Sequence, residues 1–329
     1  MSGLVHRLSF DEVIDRLPTL KRPYHKNYLA MYSSWYGGIV TDPALMMIPV
    51  DDHLVHRGDG VFEACKCVDR KVYALDRHLD RMARSAANSA LELPDRDRLK
   101  EVVLATLRAA GAPDSLMKIL VSRGPGGFSA SPRECSETQL YVVAATLSVP
   151  PPEKYEKGVR LVSSRVPMKR DFFATIKSCN YLPNVLMKME AEQAGVDFSV
   201  SIDETGVLGE GPTENVGIVT RSGEFLVPRF ARVLRGITVT RAMELAACLV
   251  REGVLTRVSE ADITPREAHE AAEIMMFGTS FDILPVVEYD GRRIGDGVPG
   301  AAFKRLLDLL REDVRNCPEM TIPVEREDA

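Results

Sequence analysis

The chain has no apolar run near the roughly 20 residues of a membrane span, and Met1-Ser2-Gly3-Leu4-Val5-His6 carries no apolar core of signal-peptide length. It has no Cys-x-x-Cys pair: Cys65, Cys67, Cys135, Cys179, Cys248 and Cys317 are scattered, which favours reduced thiols over a disulfide framework. Nor is there a cationic surplus. The 42 Lys and Arg are interspersed with 47 Asp and Glu for a formal charge of −5, so a nucleic-acid footprint is missing. No internal repeat and no low-complexity tract interrupts the chain. These absences imply a cytoplasmic globular protein without membrane or nucleic-acid partners.

What is present is an ordinary core-forming composition, 45% hydrophobic and 27% charged over 329 residues, enough for two domains. Residues 1 to about 25 read as an amphipathic lead-in that packs on the body, with Leu8, Val13, Ile14 and Leu17 at helical spacing. Strand-like runs at Ala44 to Val50, Gly60 to Val68, Met117 to Ser122 and Gln139 to Leu147 alternate with helical patterns at Asp76 to Leu91 and Asp95 to Ala110. Residues 1–149 are thus a smaller α+β domain. The prolines of Val149-Pro150-Pro151-Pro152 stop regular structure and make 150–157 a linker. Residues 158–329 form the larger domain, with a mostly antiparallel sheet from Val159 to Arg165, Phe198 to Ile202, Asn215 to Thr220, Glu224 to Val227 and Glu273 to Phe277. Its helices are Leu182 to Ala194, with Leu186, Met189 and Ala191 toward a core, Ile237 to Glu252, and Ala301 to Arg311.

Chemistry concentrates in this second half. Lys177, in Thr175-Ile176-Lys177-Ser178-Cys179-Asn180-Tyr181-Leu182, follows a strand-like Phe172 to Ile176 and precedes a helix, so its amine can reach a cleft. Glu210 lies between Gly209 and Gly211, which let backbone approach a flat ring, and Glu214 is a competing carboxylate. Gly236-Ile237-Thr238 opens a helix whose first N–H groups and positive dipole end suit an anion, and Gly278-Thr279-Ser280 supplies a second such turn. An amine, a carboxylate and a phosphate cradle in one chain meet the demands of pyridoxal phosphate. Arg77, Arg81 and Arg84 share a helix face and could each complete the cradle. Asp51-Asp52-His53-Leu54-Val55-His56 lacks a third well-spaced ligand, so hydrogen bonding is favoured over a metal. Arg123-Gly124-Pro125-Gly126-Gly127 lacks a Gly-Lys-Ser/Thr ending and reads as a flexible loop that touches substrate.

The ordered motifs resemble those of class IV, or fold type IV, pyridoxal phosphate aminotransferases. They run through His56-Arg57-Gly58-Asp59-Gly60-Val61-Phe62-Glu63, His78-Leu79-Asp80-Arg81-Met82, Lys177 to Leu182, Leu208 to Asn215, Leu234 to Arg241 and Gly278 to Pro285. Met31 to Ser34, Asp42 to Met46 and Ile48 to His53 resemble the branch that holds plant-type D-amino acid aminotransferases and aminodeoxychorismate lyases. The resemblance implies a two-domain fold of that type and a homodimer. It implies Lys177 as Schiff-base lysine and proton shuttle, Arg81, Ile237, Thr238 and Thr279 at the phosphate, Tyr181 at the ring oxygen and Glu210 at the ring nitrogen. Arg235, where the family often has proline, and Val216-Gly217, where it often has Asn-x-Phe, should alter the cleft wall alone.

For the substrate the resemblance implies Phe62 and Lys118 in the cleft, Ser280 beside it, and, as reader of the substrate carboxylate, either Arg133 of the Ser131-Pro132-Arg133 loop reaching into the partner subunit's site or the competing Arg123. The expected activity is transamination between an amino acid, a D-amino acid among the choices, and a 2-oxo acid. Aminodeoxychorismate lyase, a branched-chain aminotransferase, or a non-catalytic cofactor-binding protein are the alternatives.

Overall fold

The computed structural model describes residues 5–169 and 171–325; residues 1–4, 170 and 326–329, which the sequence reading places in the lead-in and the second domain, lie outside them. The first sheet contains β1 (Tyr28–Ser33), β2 (Gly38–Val40), β3 (Gly60–Val68), β4 (Lys71–Tyr73), β5 (Ser115–Ser122) and β6 (Gln139–Thr146). All its pairings are antiparallel. Helices α1 (Phe10–Arg16), α2 (His53–Arg57), α3 (Leu75–Asn88) and α4 (Arg96–Ala110) accompany it. Period-2 alternation divides the sheet's faces. Met117, Ile119 and Val121 of β5 join Val61 and Cys65 of β3 in a core under α3 and α4, leaving Phe62, Ala64, Leu116 and Lys118 on the opposite face. Helix α3 sends Leu75, Leu79, Met82 and Ala86 into that core, and α4 is bounded by the Asp95 cap and left-handed Gly111.

The second sheet contains β7 (Val159–Ser163), β8 (Phe198–Val200), β9 (Asn215–Val219), β10 (Glu224–Pro228), β11 (Arg257–Ala261), β12 (Glu273–Gly278) and β13 (Asp282–Tyr289), in the order β11-β10-β9-β12-β13-β7-β8, with β14 (Arg292–Arg293) on β13. It is antiparallel through its middle and parallel where β11, β7 and β8 join. Around it run α5 (Pro152–Glu156), α6 (Asp171–Ala174), α7 (Leu182–Gln193), α8 (Ile237–Arg251), α9 (Pro265–Glu270) and α10 (Ala301–Asn316). Val239, Ala246 and Leu249 of α8 share a core with Phe303, Leu306 and Leu310 of α10.

Several elements depart from the sequence reading. Ala44 to Val50 is not a strand: a 3₁₀ turn, Pro43–Leu45, and irregular chain replace it, since Pro43 and Pro49 each remove a donor. The lead-in does form a capped helix, but no residue of α1 is buried. The prolines at 150–152 start α5 rather than ending all structure, because proline suits the first helical turn. Phe172 to Ile176 is the helical turn α6 and its exit, not a strand. In α7 Met187 and Ala191 are buried, while Leu186 and Met189 face outward. Helix α10 continues past Arg311 to Asn316, and the strand after it, β15 (Thr321–Pro323), returns to the first sheet and pairs with β4.

Candidate active site

A cavity of about 360 Å³ lies where the outer face of β3 and β5 meets the second half of the chain. Lys177 is buried at its wall, and the reason is non-local. Its carbonyl accepts the Phe62 N–H at 3.0 Å, its own N–H donates to Ser85 Oγ at 3.1 Å, and the Cys179 N–H donates to Gly60 at 2.9 Å. With a bridge between Val61 and Ser178, the lysine segment is stitched onto β3 of the first sheet. The amine lies 4.5 Å from the Phe62 ring centroid and 3.5 Å from Tyr181 Oη. Burial and then the neighbouring Arg81 charge push Lys177 down to about 8, so a useful fraction is a free amine near neutral pH.

One end of the cavity is built for an anion. Helix α8 begins at Gly236 with no side-chain cap, so its first N–H groups stay available and carry the positive end of the dipole. A Cβ at residue 236 would come within 1.9 Å of Asn215 Oδ1, which is why the backbone approaches so closely only as glycine. Thr238 and the turn Gly278-Thr279-Ser280 line the same region. Arg81 completes it. Its Nε and Nη2 donate to Glu63 at 2.7 Å each and Nη1 to the Arg235 carbonyl at 3.1 Å, which leaves two of the five guanidinium hydrogens without a partner among the described residues.

Glu63 is the support that sequence reasoning missed. It is fully buried in β3, and although burial alone would raise it, Arg81 and then His78 hold its carboxyl at about 2. His78 Nδ1 lies 2.7 Å from Glu63, and burial depresses this imidazole, so the contact is a neutral ring N–H donating to a carboxylate. A lone glutamate at an inward position of an apolar strand, opposite His-x-x-Arg on the next helix, was the available signal. Lys66 of the same strand pairs with Asp282, whose left-handed backbone (φ 67°) closes the turn bearing Thr279 and Ser280. Asp282 thus braces the anion turn against the first sheet.

Glu210, which also lines the cavity, accepts the Leu234 N–H at 3.1 Å. Burial pushes Glu210 up to about 7 against the pull of that N–H, Lys177, Lys169 and Arg81. Glu214 is more than a competitor: it also lines the cavity, bonded to Thr213, and burial raises its carboxyl. Asn184, unnoticed in the sequence, lines the cavity with a buried Oδ1 that has no partner among the described residues.

Of the residues singled out from sequence, the cavity gathers Arg81, Lys177, Tyr181, Glu210, Ile237, Thr238, Thr279, Phe62, Lys118 and Ser280. Arg123 and Arg133 lie elsewhere in this chain. Arg123 is held by a bidentate pair with Asp59 and by the Ser89 and Ala90 carbonyls, and Arg133 sits in an exposed 3₁₀ turn; neither lines the cavity of this chain. The loop after Arg123 also lies outside the residues that line the cavity. Gly126 donates to Asp51 and the Gly124 carbonyl accepts the His53 N–H, packing the loop on the start of α2.

The donor set fits a ligand with a phosphate at α8, an electrophilic carbon at Lys177 and a basic ring nitrogen at Glu210. A profile of the class IV amino-transferases matches residues 60–289, more than half the chain. A D-amino-acid transaminase, chloroplastic, of Arabidopsis thaliana is 42% identical over 315 residues, covering 94% of this chain and 83% of its own. Among solved structures, a T.th. branched-chain amino acid aminotransferase complexed with N-(5'-phosphopyridoxyl)-L-glutamate superposes with a TM-score of 0.82 at 25% identity, over 91% of this chain and 99% of that one. A 4-amino-4-deoxychorismate lyase from Pseudomonas aeruginosa gives 0.71 at 26% identity, over 82% and 96%. The chain therefore belongs to the class IV amino-transferases and is a pyridoxal phosphate-dependent transaminase with the α+β fold of that family.

Proposed function

We propose that this enzyme moves an amino group between a D-amino acid and a 2-oxo acid. The observation that carries the handedness is the 42% identity, across nearly the whole chain, to a D-amino-acid transaminase. When bound, pyridoxal phosphate supplies the electron sink that makes the substrate's Cα–H acidic. The chain's own residues then have separable tasks. Lys177, with its lowered basicity, forms the covalent link and carries the proton to and from Cα. Arg81, the first N–H groups of α8, Thr238 and Thr279 bind the phosphate, and Ile237 contributes its backbone there. Glu210 would hold the ring nitrogen and Tyr181 the ring oxygen. Phe62, Lys118 and Ser280 contact the substrate, with Lys118 as the cation for a carboxylate.

The assembly proposed is a cytoplasmic homodimer, with domains at 1–149 and 158–329 joined by 150–157 and with β15 of the second part crossing back to the first sheet. Six free cysteines support a reducing compartment, and no helix among the described residues is long and apolar enough to cross a membrane. Leu182, Val185, Leu186 and Met189 form an exposed apolar stripe along α7, and Phe172 and Phe173 of α6 are exposed as well, surface suited to a second copy.

The deciding experiment mixes the purified holoenzyme separately with D-alanine, D-glutamate, L-leucine and L-glutamate and follows the visible cofactor spectrum and the 2-oxo acid formed. Discharge by a D-amino acid and recovery with a 2-oxo acid is the expected outcome. Discharge by L-leucine alone would transfer the assignment to branched-chain substrates. The likeness to the lyase adds one arm: pyruvate and 4-aminobenzoate from aminodeoxychorismate, without amino transfer, would replace transamination by elimination.

A further inference from the structure

Beyond the cavity wall, the chain leaving β7 brings in a second lysine. Ser164 donates its N–H to Val200 and Arg165 its N–H to Glu190, which fix the start of this segment. Met168 then crosses directly over Gly209: a Cβ there would lie 2.1 Å from the methionine sulfur and 2.4 Å from Ser201 Oγ, so a larger residue would displace the methionine. The crossing delivers Lys169 beside Glu210. Its Nζ sits 5.1 Å from the Tyr181 ring centroid, within cation–π range, and among the described residues neither an ion pair nor a hydrogen bond engages it. Lys177 Nζ is 5.9 Å from the same centroid, so the two ammonium nitrogens are at most about 11 Å apart.

We propose that Lys169 is a positioning residue: a fixed cation beside Tyr181 that keeps Glu210 ionised and favours the neutral amine of Lys177. The proposal rests on the roles assigned above to Lys177 and Glu210. Lys169 does not line the cofactor cavity, so it acts through its field and its contact with Tyr181 rather than by touching substrate. It faces a defined set of charges. Lys177 is surrounded by Arg81 of α3, Glu63 of β3, Glu210 and Lys169, and Glu210 by Lys177, Lys169 and Arg81. Arg81 is paired bidentately with Glu63, whereas Lys169 has no hydrogen-bonded or ion-pair partner among the described residues, and Glu210 is the charge that opposes it. Half-burial depresses Lys169 itself, while Glu210 opposes that.

The test needs no loaded enzyme. Apoprotein with ¹³Cε-labelled lysine is titrated by NMR, with Lys177 assigned through Lys177→Arg and Lys169 through Lys169→Arg. Lys169→Met should raise the Lys177 midpoint by on the order of one pH unit, the interaction of two unit charges about 11 Å apart at an effective dielectric near 20. Lys169→Arg should leave it in place. In the holoenzyme the acidic limb of the kcat profile should move upward with Met and stay with Arg. An unmoved Lys177 midpoint in Lys169→Met overturns the proposal; if that variant does not fold, Lys169→Gln carries the same measurement. Failure of the Lys177 assignment would look different: Lys177→Ala would retain transamination, whatever the titration showed.

Discussion

The two ends of the cavity are built differently. At the anion end, Arg81, His78 and Glu63 are buried and interlocked, and Asp282 and Gly236 hold two backbone turns against them. Where the substrate is proposed to bind, Phe62 is half-buried, Lys118 is exposed and no side-chain hydrogen bond among the described residues ties either down. A group that every turnover requires is held by many mutually dependent contacts; a group that decides which substrate enters is held by few. Specificity can therefore drift within this fold without disturbing the cofactor end.

Substitutions should separate the ends. Lys177→Ala removes the covalent link and proton carrier, and transamination should fall by at least about 10²- to 10⁴-fold in a stopped-flow half-reaction, with the fold intact by circular dichroism. Glu63→Gln leaves Arg81 buried without its carboxylate, and urea denaturation of the apoprotein should show a loss of about 3–5 kcal/mol together with weaker cofactor retention. The Glu63 carboxyl is at about 2 when folded against 4.5 ordinarily, so its contribution is complete above 4.5 and disappears as pH falls toward 2. That acid-side slope should vanish in the variant.

Smaller effects should follow at the remaining sites. Glu210→Gln should slow the half-reaction on the order of 10²-fold while keeping cofactor binding, since the countercharge at the ring nitrogen is lost. Lys118→Met should raise KM for the carboxylate-bearing substrate about tenfold with kcat little changed, the loss of one charge-assisted hydrogen bond. The gentlest probe is pH. Reconstitution of apoprotein with pyridoxal phosphate should accelerate through about 8, where Lys177 becomes neutral, and level off above it, whereas an ordinary lysine would gain up to 10.5. A midpoint near 10.5 would mean that Lys177 is not desolvated.

Legibility followed the range of the forces involved. Strand β3 spans Gly60–Val68 as its apolar alternation predicts, and α8 begins at Ile237 where Gly236 announces it. Phe172 to Ile176 misled because its aromatic and β-branched residues look strand-like, yet what holds Lys177 is β3, more than a hundred residues earlier. The face of α7 misled for a related reason: its strongest apolar stripe is left outward, and the smaller Met187 and Ala191 pair meets the sheet. The placing of Arg123 and Arg133 was not legible either: Asp59 holds the first and a short exposed turn carries the second.

Sequence by itself determined the chemical inventory: an amine, a carboxylate, two glycine-led turns and a set of arginines, together with the periodicities that make strands and helices. Those depend on residues within a few positions of one another. Tertiary structure alone decided which charges meet. Glu63 finds Arg81 across 18 residues and Lys66 finds Asp282 across 216, and only burial together, in a medium that penalises an unpaired charge, selects those partners from the many a polar chain offers.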